Sequence, residues 1–302
     1  MRQFAPHIIL ILVNLFYGIN FIVAKEIMPV YVGPSAMIFI RVASTTLLFA
    51  LTLPILFRTE SNIKFLPDKK DLLRFFLCAL TGVAANQLLF YEGLNFTTPI
   101  NAALIFTSNP LLTLLMSMLI LKQKATPIKW VGLILGGIAA MMLIVYSRGG
   151  ADLSAQTQLG NLMVFVNALS YAVYLAIVKD LMHKYHPLVV IFWNFLIGLF
   201  LVFPFSYHQL RVIEWTNFPE HIWWGLVFTV LAITYFAYLG SILALKKLQP
   251  FQVSIYVYIQ PIVASLLALY LGKDQITAPI IILGLMIFVG VYMVIKPGQK
   301  IK

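Results

Sequence analysis

Charged residues are scarce in this sequence: only 10% of its 302 residues are Asp, Glu, Lys or Arg. Acids number just 10, whereas hydrophobic residues make up 61% of the chain. A soluble domain carries about 25% charged residues, so this composition leaves too little polar surface to cover one water-soluble core. The chain is therefore predicted to lie in a lipid bilayer.

The motifs of common catalytic sites are also missing. The sequence has no HExxH, GxSxG or Walker A motif and no acidic metal cluster, and the pair His183 and His186 has only Asp180 nearby. The single cysteine, Cys78, excludes an intramolecular disulfide. We therefore expect a protein that is not an enzyme and that uses no metal and no cofactor.

Long apolar runs dominate the chain instead. Such runs, of 18 or more mostly apolar residues, can cross roughly 30 Å of hydrocarbon as helices. They lack the polar alternation of a membrane barrel, and the first ends in FIVAKEIMP without a small-residue cleavage pattern, so it is expected to be retained. Ten such runs are predicted as transmembrane helices: 7–28, 34–57, 72–91, 99–121, 127–146, 159–179, 187–207, 221–243, 250–271 and 278–296.

Positive charge is distributed unevenly between the loops. The formal net charge is +11, and alternate assignment of the loops puts 16 of the 21 Lys and Arg residues on the side of both termini. Since Lys and Arg are retained in cytoplasmic loops, both termini are predicted to be cytoplasmic in a multi-pass plasma (inner) membrane protein. This explanation of the charge leaves no reason to expect nucleic acid as a partner.

The sequence repeats at an offset of 151 residues, half its length. Residues 99–110 are PINAALIFTSNP and residues 250–261 are PFQVSIYVYIQP, with proline and amide residues in matching places. Five helices per half is an odd number, so the halves enter the membrane from opposite sides, as inverted repeats with a site between them near the midplane. We predict repeats at 1–146 and 159–302, joined by a linker at 147–158.

Polar side chains within the spans are the candidate site residues. An amide or hydroxyl that faces lipid is left unsatisfied, so these residues face either other helices or a watery cavity. Asn14, Tyr17 and Asn20 share one helical stripe. The candidates for substrate contact are Asn14, Tyr17, Asn20, Arg41, Asn101, Asn109, Tyr171, Gln252, Tyr256 and Gln260.

Arg41 is unusual because it is charged and lies seven residues after Pro34, inside a span. A charge at the bilayer centre costs about 2.5 to 3.5 kcal/mol on insertion scales. Arg41 could contact an anionic or zwitterionic substrate, act as a gate charge, or extend toward the membrane surface. Its counterpart in the second half is Asn194, so any such charge is asymmetric.

Proline and glycine positions add two further predictions. Pro110 and Pro261 lie near the middle of the fourth and ninth runs, where each removes one helical hydrogen bond and kinks the helix. Matching breaks in two halves indicate a transport site, and a purely structural kink is the alternative. Gly132 and Gly136 form a GxxxG motif, which fits either close packing within the chain or a homodimer.

The paired proline segments and the glycine-rich helices that follow them resemble the EamA type of the drug/metabolite transporter superfamily. The resemblance is carried by ALIFTSNPLLTLLMSMLILKQK with GLILGGIAAMML, and by SIYVYIQPIVASLLALYLGKDQ with GLMIFVGVYMVI. It implies ten helices in an inverted five-plus-five arrangement, a central cavity, and efflux or exchange of small metabolites, often amino acids. Arg41 matches the family's arginine in the second helix.

The sequence thus predicts an all-α membrane protein of ten transmembrane helices, built as two inverted five-helix repeats. We expect a secondary transporter that exports or exchanges a small organic metabolite by alternating access. A facilitative pore and a lipid-handling flippase are the alternatives. The expected partners are the lipid bilayer and a small-molecule substrate, with a homodimer left open.

Overall fold

The computed structural model describes residues 4–59, 63–122, 126–145, 155–272 and 277–295, and all regular structure in these ranges is helical. A 3₁₀ helix, Trp215–Asn217, joins the seventh and eighth apolar helices. Residues 147–154 of the predicted linker lie outside the described ranges, and residues 155–158 already belong to the sixth helix. The apolar helices are α1 (Ala5–Ile27), α2 (Pro34–Thr59), α3 (Leu72–Phe96), α4 (Pro99–Leu121), α5 (Pro127–Val145), α6 (Ala155–Leu181), α7 (Pro187–Arg211), α8 (Glu220–Lys247), α9 (Pro250–Tyr270) and α10 (Ala278–Ile295).

Eight of these helices, α1 to α4 and α6 to α9, are long and apolar enough to cross a membrane. The other two, α5 and α10, are shorter apolar helices over Pro127–Met142 and Ala278–Met293. The exposed face of α2 is an example of a surface that fits a lipid environment. Leu47, Leu51 and Ile55 are 61–63% exposed and lie four residues apart along this face.

Proline residues mark where several helices begin. Pro99, Pro187 and Pro250 open α4, α7 and α9. At the first turn the missing N–H of proline costs nothing, since that donor would have no intrahelical partner, and the ring fixes φ near its helical value. The sequence therefore sets these three starting points locally.

The first helix of each half packs among helices of the other half. α1 packs mainly on α8 and α9, whereas α6 packs mainly on α3 and α4. α2 packs on α7 and also on α8, and α7 packs on α3. We call α1, α2, α8 and α9 bundle one, and α3, α4, α6 and α7 bundle two.

Glycines bring two helix pairs into close contact. A Cβ atom on Gly160 of α6 would lie 2.7 Å from the carbonyl oxygen of Gly93 in α3, and one on Gly290 of α10 would lie 2.7 Å from that of Gly132 in α5. Gly136 also touches Gly290. The GxxxG motif of α5 therefore faces α10 of the same chain.

Four helices depart from α geometry near their centres. α3 and α8 contain π-helical segments, at Leu80–Ala84 and Thr229–Phe236. α4 is interrupted at Thr107 and Ser108, and α9 passes through a 3₁₀ segment at Ile255–Tyr258. Such segments disturb the regular pairing of backbone groups and are frequent at functional sites. All four helices contribute to the cavity described next.

Candidate functional site

A cavity of about 70 Å³ lies between the two bundles. Both bundles contribute polar and aromatic side chains to its wall, and six of the ten predicted site residues are among them. The lining residues are Leu10, Asn14, Tyr17, Asn20, Phe21, Arg41, Asn86, Gln87, Phe90, Tyr91, Phe106, Asn167, Tyr171, Ile233, Tyr238, Ser241, Val253, Val257 and Gln260.

In bundle one, two of the predicted amides bind each other. Gln260 Nε2 of α9 donates to Asn14 Oδ1 at 2.7 Å, and Asn14 Nδ2 donates to the Leu10 carbonyl, also at 2.7 Å. Both side chains are buried. The chain of bonds links α9 to α1 and fixes the orientation of the Asn14 amide at the cavity wall.

Arg41 reaches the same wall from α2, with a side chain that is buried. Its Nε donates to Thr234 Oγ1 at 2.8 Å, and its Cζ lies 4.6 Å from the centre of the Tyr91 ring. Thr234 belongs to the π-helical segment of α8 and donates in turn to the Thr229 carbonyl at 2.7 Å. The charge is therefore held inside the protein and does not extend to the surface.

The π-helical segment of α3 is held by side chains from α6 and α8. Ser170 of α6 donates to the Thr81 carbonyl at 2.7 Å, and Tyr238 of α8 donates to the Gly82 carbonyl at 3.2 Å. A Cβ atom on Gly82 would lie 2.3 Å from the ring of Tyr174, so only glycine fits beside that ring. These contacts place Asn86, Gln87 and Tyr91, one to two turns further along α3, at the cavity.

Four predicted residues lie elsewhere within the described part of the chain. Asn109 Nδ2 donates to the Ala168 carbonyl at 2.9 Å and packs α4 against α6, while Asn101 is buried in the first turn of α4. Gln252 is exposed and its Oε1 caps the start of α9 by accepting from Gln249 N at 2.9 Å. Tyr256 hydrogen-bonds His7.

The two candidate amides of α9 lie on different faces, because the helix geometry changes between them. Gln252 and Gln260 flank four 3₁₀ residues, which add about 20° each, or roughly 80° in all, to the roughly 80° expected between two residues eight apart in an α-helix. Gln252 is accordingly exposed while Gln260 is buried at the cavity. In α4, Asn101 and Asn109 flank the interruption at Thr107 and Ser108, and neither lines the cavity.

Pro110 and Pro261 sit just after these irregular segments. Pro110 lies in the first turn of the second part of α4, which begins at Asn109, and Pro261 lies in the first turn of the last part of α9, which begins at Ile259. In such a position proline does not remove a bond that a regular helix would make. The irregular segment therefore ends two residues before Pro110 and three residues before Pro261.

Five residues important to the geometry were not among the predicted set: the lining residues Asn86, Gln87, Tyr91 and Tyr238, and Thr234, which binds Arg41 behind the wall. The first four are polar side chains within predicted spans, which is the signal that selected the others. Thr234 gives no such signal, because a threonine in an apolar helix usually bonds to its own backbone. Its role depends on the π-helical segment of α8.

Lysines bridge the two bundles at opposite ends of the molecule. Lys25 at the end of α1 donates to the Asn95 carbonyl at the end of α3, at 3.0 Å. Lys179 near the end of α6 donates to the Leu245 and Leu248 carbonyls at the end of α8, at 2.7 and 2.5 Å. Cations favour these positions, since the last carbonyls of a helix lack intrahelical donors. Each contact crosses from one bundle to the other.

A cluster of charged groups lies at the Lys179 end, outside the helices. The Asp71 carboxylate precedes α3, is buried, and accepts from Lys184 Nζ at 2.9 Å and from Tyr185 OH at 2.9 Å. The Lys184 contact, supported by Tyr185, holds the pKa of Asp71 below its usual value, against the opposing effect of burial. The cluster fixes the start of α3 to the connection between α6 and α7.

Metal coordination has no basis in the described ranges, which contain no group of three or more His, Cys, Asp or Glu side chains able to share an ion. The site is thus built from amides, phenols, aromatic rings and one guanidinium. Such groups bind and orient a ligand without changing it covalently.

Comparison with known proteins identifies the fold and the family. The EamA-like transporter family model matches twice, at residues 5–145 and 158–296. The chain is 25% identical over 305 residues to "Uncharacterized transporter YyaM" of Bacillus subtilis (strain 168), covering 99% of this chain and 98% of that protein. The chain is also 24% identical to an "Uncharacterized transporter" of Archaeoglobus fulgidus, and the match covers 96% of this chain and 98% of that protein.

A solved crystal structure superposes with a TM-score of 0.64 at 16% identity, covering 95% of each chain, which supports the same fold. The apolar helices and the family match together make this a multi-pass membrane protein and a transporter, not an enzyme. Because the family model covers most of the sequence, in two copies, the chain belongs to the EamA-like transporter family.

Proposed function

We propose that this chain is a secondary transporter that exports or exchanges a small organic metabolite, such as an amino acid or a related compound, by alternating access. The proposal rests on the cavity between the two bundles, whose wall is mostly apolar but contains amides, phenols and the Arg41 guanidinium. Polar and charged groups in a membrane interior are costly and mark substrate pathways. Because both bundles line the cavity, a change in the position of one bundle relative to the other would change the substrate contacts.

Alternating access is supported by contacts that cross between the bundles on both sides of the cavity. Lys25 bridges them at one end and Lys179 at the other. Between the ends, Asn20 of α1 donates to Tyr91 of α3 at 3.1 Å. A rocking motion of one bundle against the other would break one lysine contact while keeping the other. A facilitative pore has no need of two such closures.

The internal repeat supports an inverted ten-helix arrangement as part of the same proposal. Residues 1–146 and 159–302 form the two five-helix repeats, joined by residues 147–158. The pairing of α1 with α8 and α9 mirrors the pairing of α6 with α3 and α4. The π-helical segments also occupy the third helix of each half. An inverted pair of this kind places the substrate between the repeats.

Transport itself is tested with purified protein in proteoliposomes. Radiolabelled amino acids and organic acids are loaded inside, and efflux is followed with and without unlabelled compound outside. We expect saturable flux that is accelerated from the opposite side, as exchange requires. Flux that rises linearly with concentration and shows no such acceleration would identify a pore.

We further propose that the protein lies in the plasma (inner) membrane with both termini cytoplasmic, because of the cation bias between the loops. Single cysteines on a Cys78→Ala background test this with a membrane-impermeant thiol reagent. Glu214→Cys should be labelled on intact cells, and Lys69→Cys only after the membrane is opened. The reverse pattern would invert the topology.

A lipid-handling flippase is the second candidate, and a groove between α1 and α8 favours it. The groove has a volume of about 310 Å³, with an almost entirely apolar wall that includes Ile19, Val23 and Trp224, and Glu26 and His221 beside them. An acyl chain fits such a wall. Flux assays with fluorescent phospholipids of different head groups separate this candidate, since a metabolite carrier would not move them.

A further inference from the structure

The cavity contains one charged side chain, and that side chain has an unused donor. Among the residues that the structure describes, Arg41 is the only charged one in the cavity wall, and it is 2% exposed. Its Nε binds Thr234, while its buried Nη1 has no hydrogen-bond partner in the part of the chain that the structure describes. A buried donor without an acceptor is destabilising, and more so when it is charged. One acceptor is missing from this site.

No acid of the described chain supplies that acceptor. The three ion pairs in the described ranges, Lys64–Asp68, Arg74–Asp180 and Lys184–Asp71, all lie at the Lys179 end and leave Arg41 out. The cavity wall contains neither Asp nor Glu. With low-dielectric walls around it, one unpaired guanidinium gives the cavity a positive potential that attracts anions and repels cations.

We propose that the substrate carries a single carboxylate and that this group binds the free edge of the Arg41 guanidinium. The inference rests on the proposed transport function and names its substrate class. Guanidinium and carboxylate are both planar and form two parallel charge-assisted hydrogen bonds. A doubly charged phosphate ester fits less well, because one arginine would leave a negative charge unpaired in a desolvated site.

The remaining wall is suited to the uncharged part of such a molecule. Tyr17, Phe90, Phe106 and Tyr171 offer aromatic surface for an apolar side chain. Asn167 Oδ1 is buried in the wall without a hydrogen-bond partner in the described ranges, and it accepts an N–H or O–H group. A short apolar acid with one hydrogen-bond donor uses all of these features.

Binding by a matched set of small molecules tests the substrate class on the wild-type protein. The set is 4-methylpentanoate, its amide, the corresponding amine 4-methylpentylamine, and leucine, which share one apolar chain. Calorimetry with the purified protein in nanodiscs gives each Kd. We expect the carboxylate to bind at least about tenfold more tightly than the amide, since charged hydrogen bonds are the stronger ones, and the amine to bind least. Leucine binding as tightly as the unsubstituted acid assigns Asn167 Oδ1 to its amino group.

Variants of Arg41 supply the second measurement. Arg41→Gln should remove the preference for carboxylate over amide, and Arg41→Lys should keep part of it. Arg211→Gln is the matched control, because Arg211 is exposed at the end of α7 and its side chain lies 5.7 Å from the centre of the Tyr207 ring, away from the cavity wall.

For the wild type, either of two results would overturn the inference: equal affinity of acid and amide, or no carboxylate binding up to about 10 mM, the range of very weak complexes. A preference that survives in Arg41→Gln would do so as well. Failure of the transport proposal looks different. Carboxylates would then bind in an Arg41-dependent way, but no flux would occur in proteoliposomes.

Discussion

At the residue scale, two amides of α1 at the cavity wall are paired with protein partners before any substrate arrives. Asn14 is held by Gln260, and Asn20 donates to Tyr91. An amide has two donor hydrogens and two acceptor lone pairs, so each of these side chains keeps spare capacity for a ligand. Pairing reduces the side-chain freedom that would otherwise be lost on binding, which favours affinity.

The two glutamines of α9 offer a matched test of this arrangement. Gln260→Leu removes the donor to Asn14 at the cavity wall. Gln252→Leu instead removes the capping contact with Gln249 at the exposed start of the helix. We expect Gln260→Leu to raise KM about tenfold, equivalent to one hydrogen bond of about 1.4 kcal/mol. Gln252→Leu should lower thermal stability and leave KM unchanged, and equal effects on KM would contradict this assignment.

Asp71 predicts a pH dependence of stability. Its pKa is lowered in the folded protein, so its contribution is fully present above the unfolded value of about 3.9 and is lost as pH falls through the lower folded value. Asp71→Asn should cost about 1 to 3 kcal/mol at pH 7, and the difference from wild type should shrink below about pH 4. Thermal unfolding in detergent across pH measures it.

Asp68→Asn is the control for this prediction, because the Lys64–Asp68 pair is about half exposed. Exposed ion pairs contribute little to stability, because water screens the two charges. An effect of Asp71→Asn that stays constant from pH 7 to pH 3 would show that the carboxylate charge is not the cause.

At the element scale, helix positions were predictable and helix irregularities were not. Continuous apolar runs located α1 to α10, but α3 and α8 continue beyond their predicted ends at residues 91 and 243, to Phe96 and Lys247. The apolar runs end near Glu92 and Lys246, but the helical backbone hydrogen bonds continue past the end of each run. The π-helical segments contain no proline, so no such local feature predicted them.

Proline alone is also an incomplete guide to breaks. Irregular segments lie just before Pro110 in α4 and Pro261 in α9, while Pro54 and Pro204 lie inside α2 and α7 without ending the helix. Whether a proline interrupts a membrane helix depends on neighbouring helices, because these can supply hydrogen bonds to the backbone groups that the proline leaves unpaired. Six predicted site residues reached the cavity for a simpler reason: polar groups in apolar helices turn inward.

The crossing of α3 and α6 depends on two glycines. A Cβ atom on Gly160 would lie 2.7 Å from the Gly93 carbonyl oxygen, so the backbones of the two helices are in contact at this point. Gly160→Ala should therefore destabilise the protein by about 1 to 3 kcal/mol, the usual cost of overpacking. Gly137→Ala is the matched control, since nothing lies within 4 Å of its Cβ position. Thermal unfolding should show a lower Tm for the first variant and an equal or higher Tm for the second, because alanine favours helix; a Tm unchanged by Gly160→Ala would contradict the close crossing.

At the scale of the whole molecule, contacts cross between the two bundles at opposite ends. The repeat in the sequence predicted two related halves, but it could not show that α1 packs with α8 and α9 of the other half. Partner choice among apolar helices depends on the fit of small residues and on polar pairs, which a single sequence does not reveal. The exchange of first helices matters for mechanism, because it makes Lys25 and Lys179 bridge bundles instead of bracing one.

Removal of each lysine should therefore open the cavity toward a different side. Ser241→Cys on a Cys78→Ala background places one thiol at the cavity wall. In Lys25→Met, loss of the bond to Asn95 weakens closure at the outer end, so labelling of intact cells by an impermeant reagent should be about tenfold faster, as one charged hydrogen bond allows. In Lys179→Met, loss of the bonds to Leu245 and Leu248 should speed labelling in inside-out vesicles instead. If both variants respond alike on the two sides, the lysines do not close opposite ends, and the contacts only support the local helix ends.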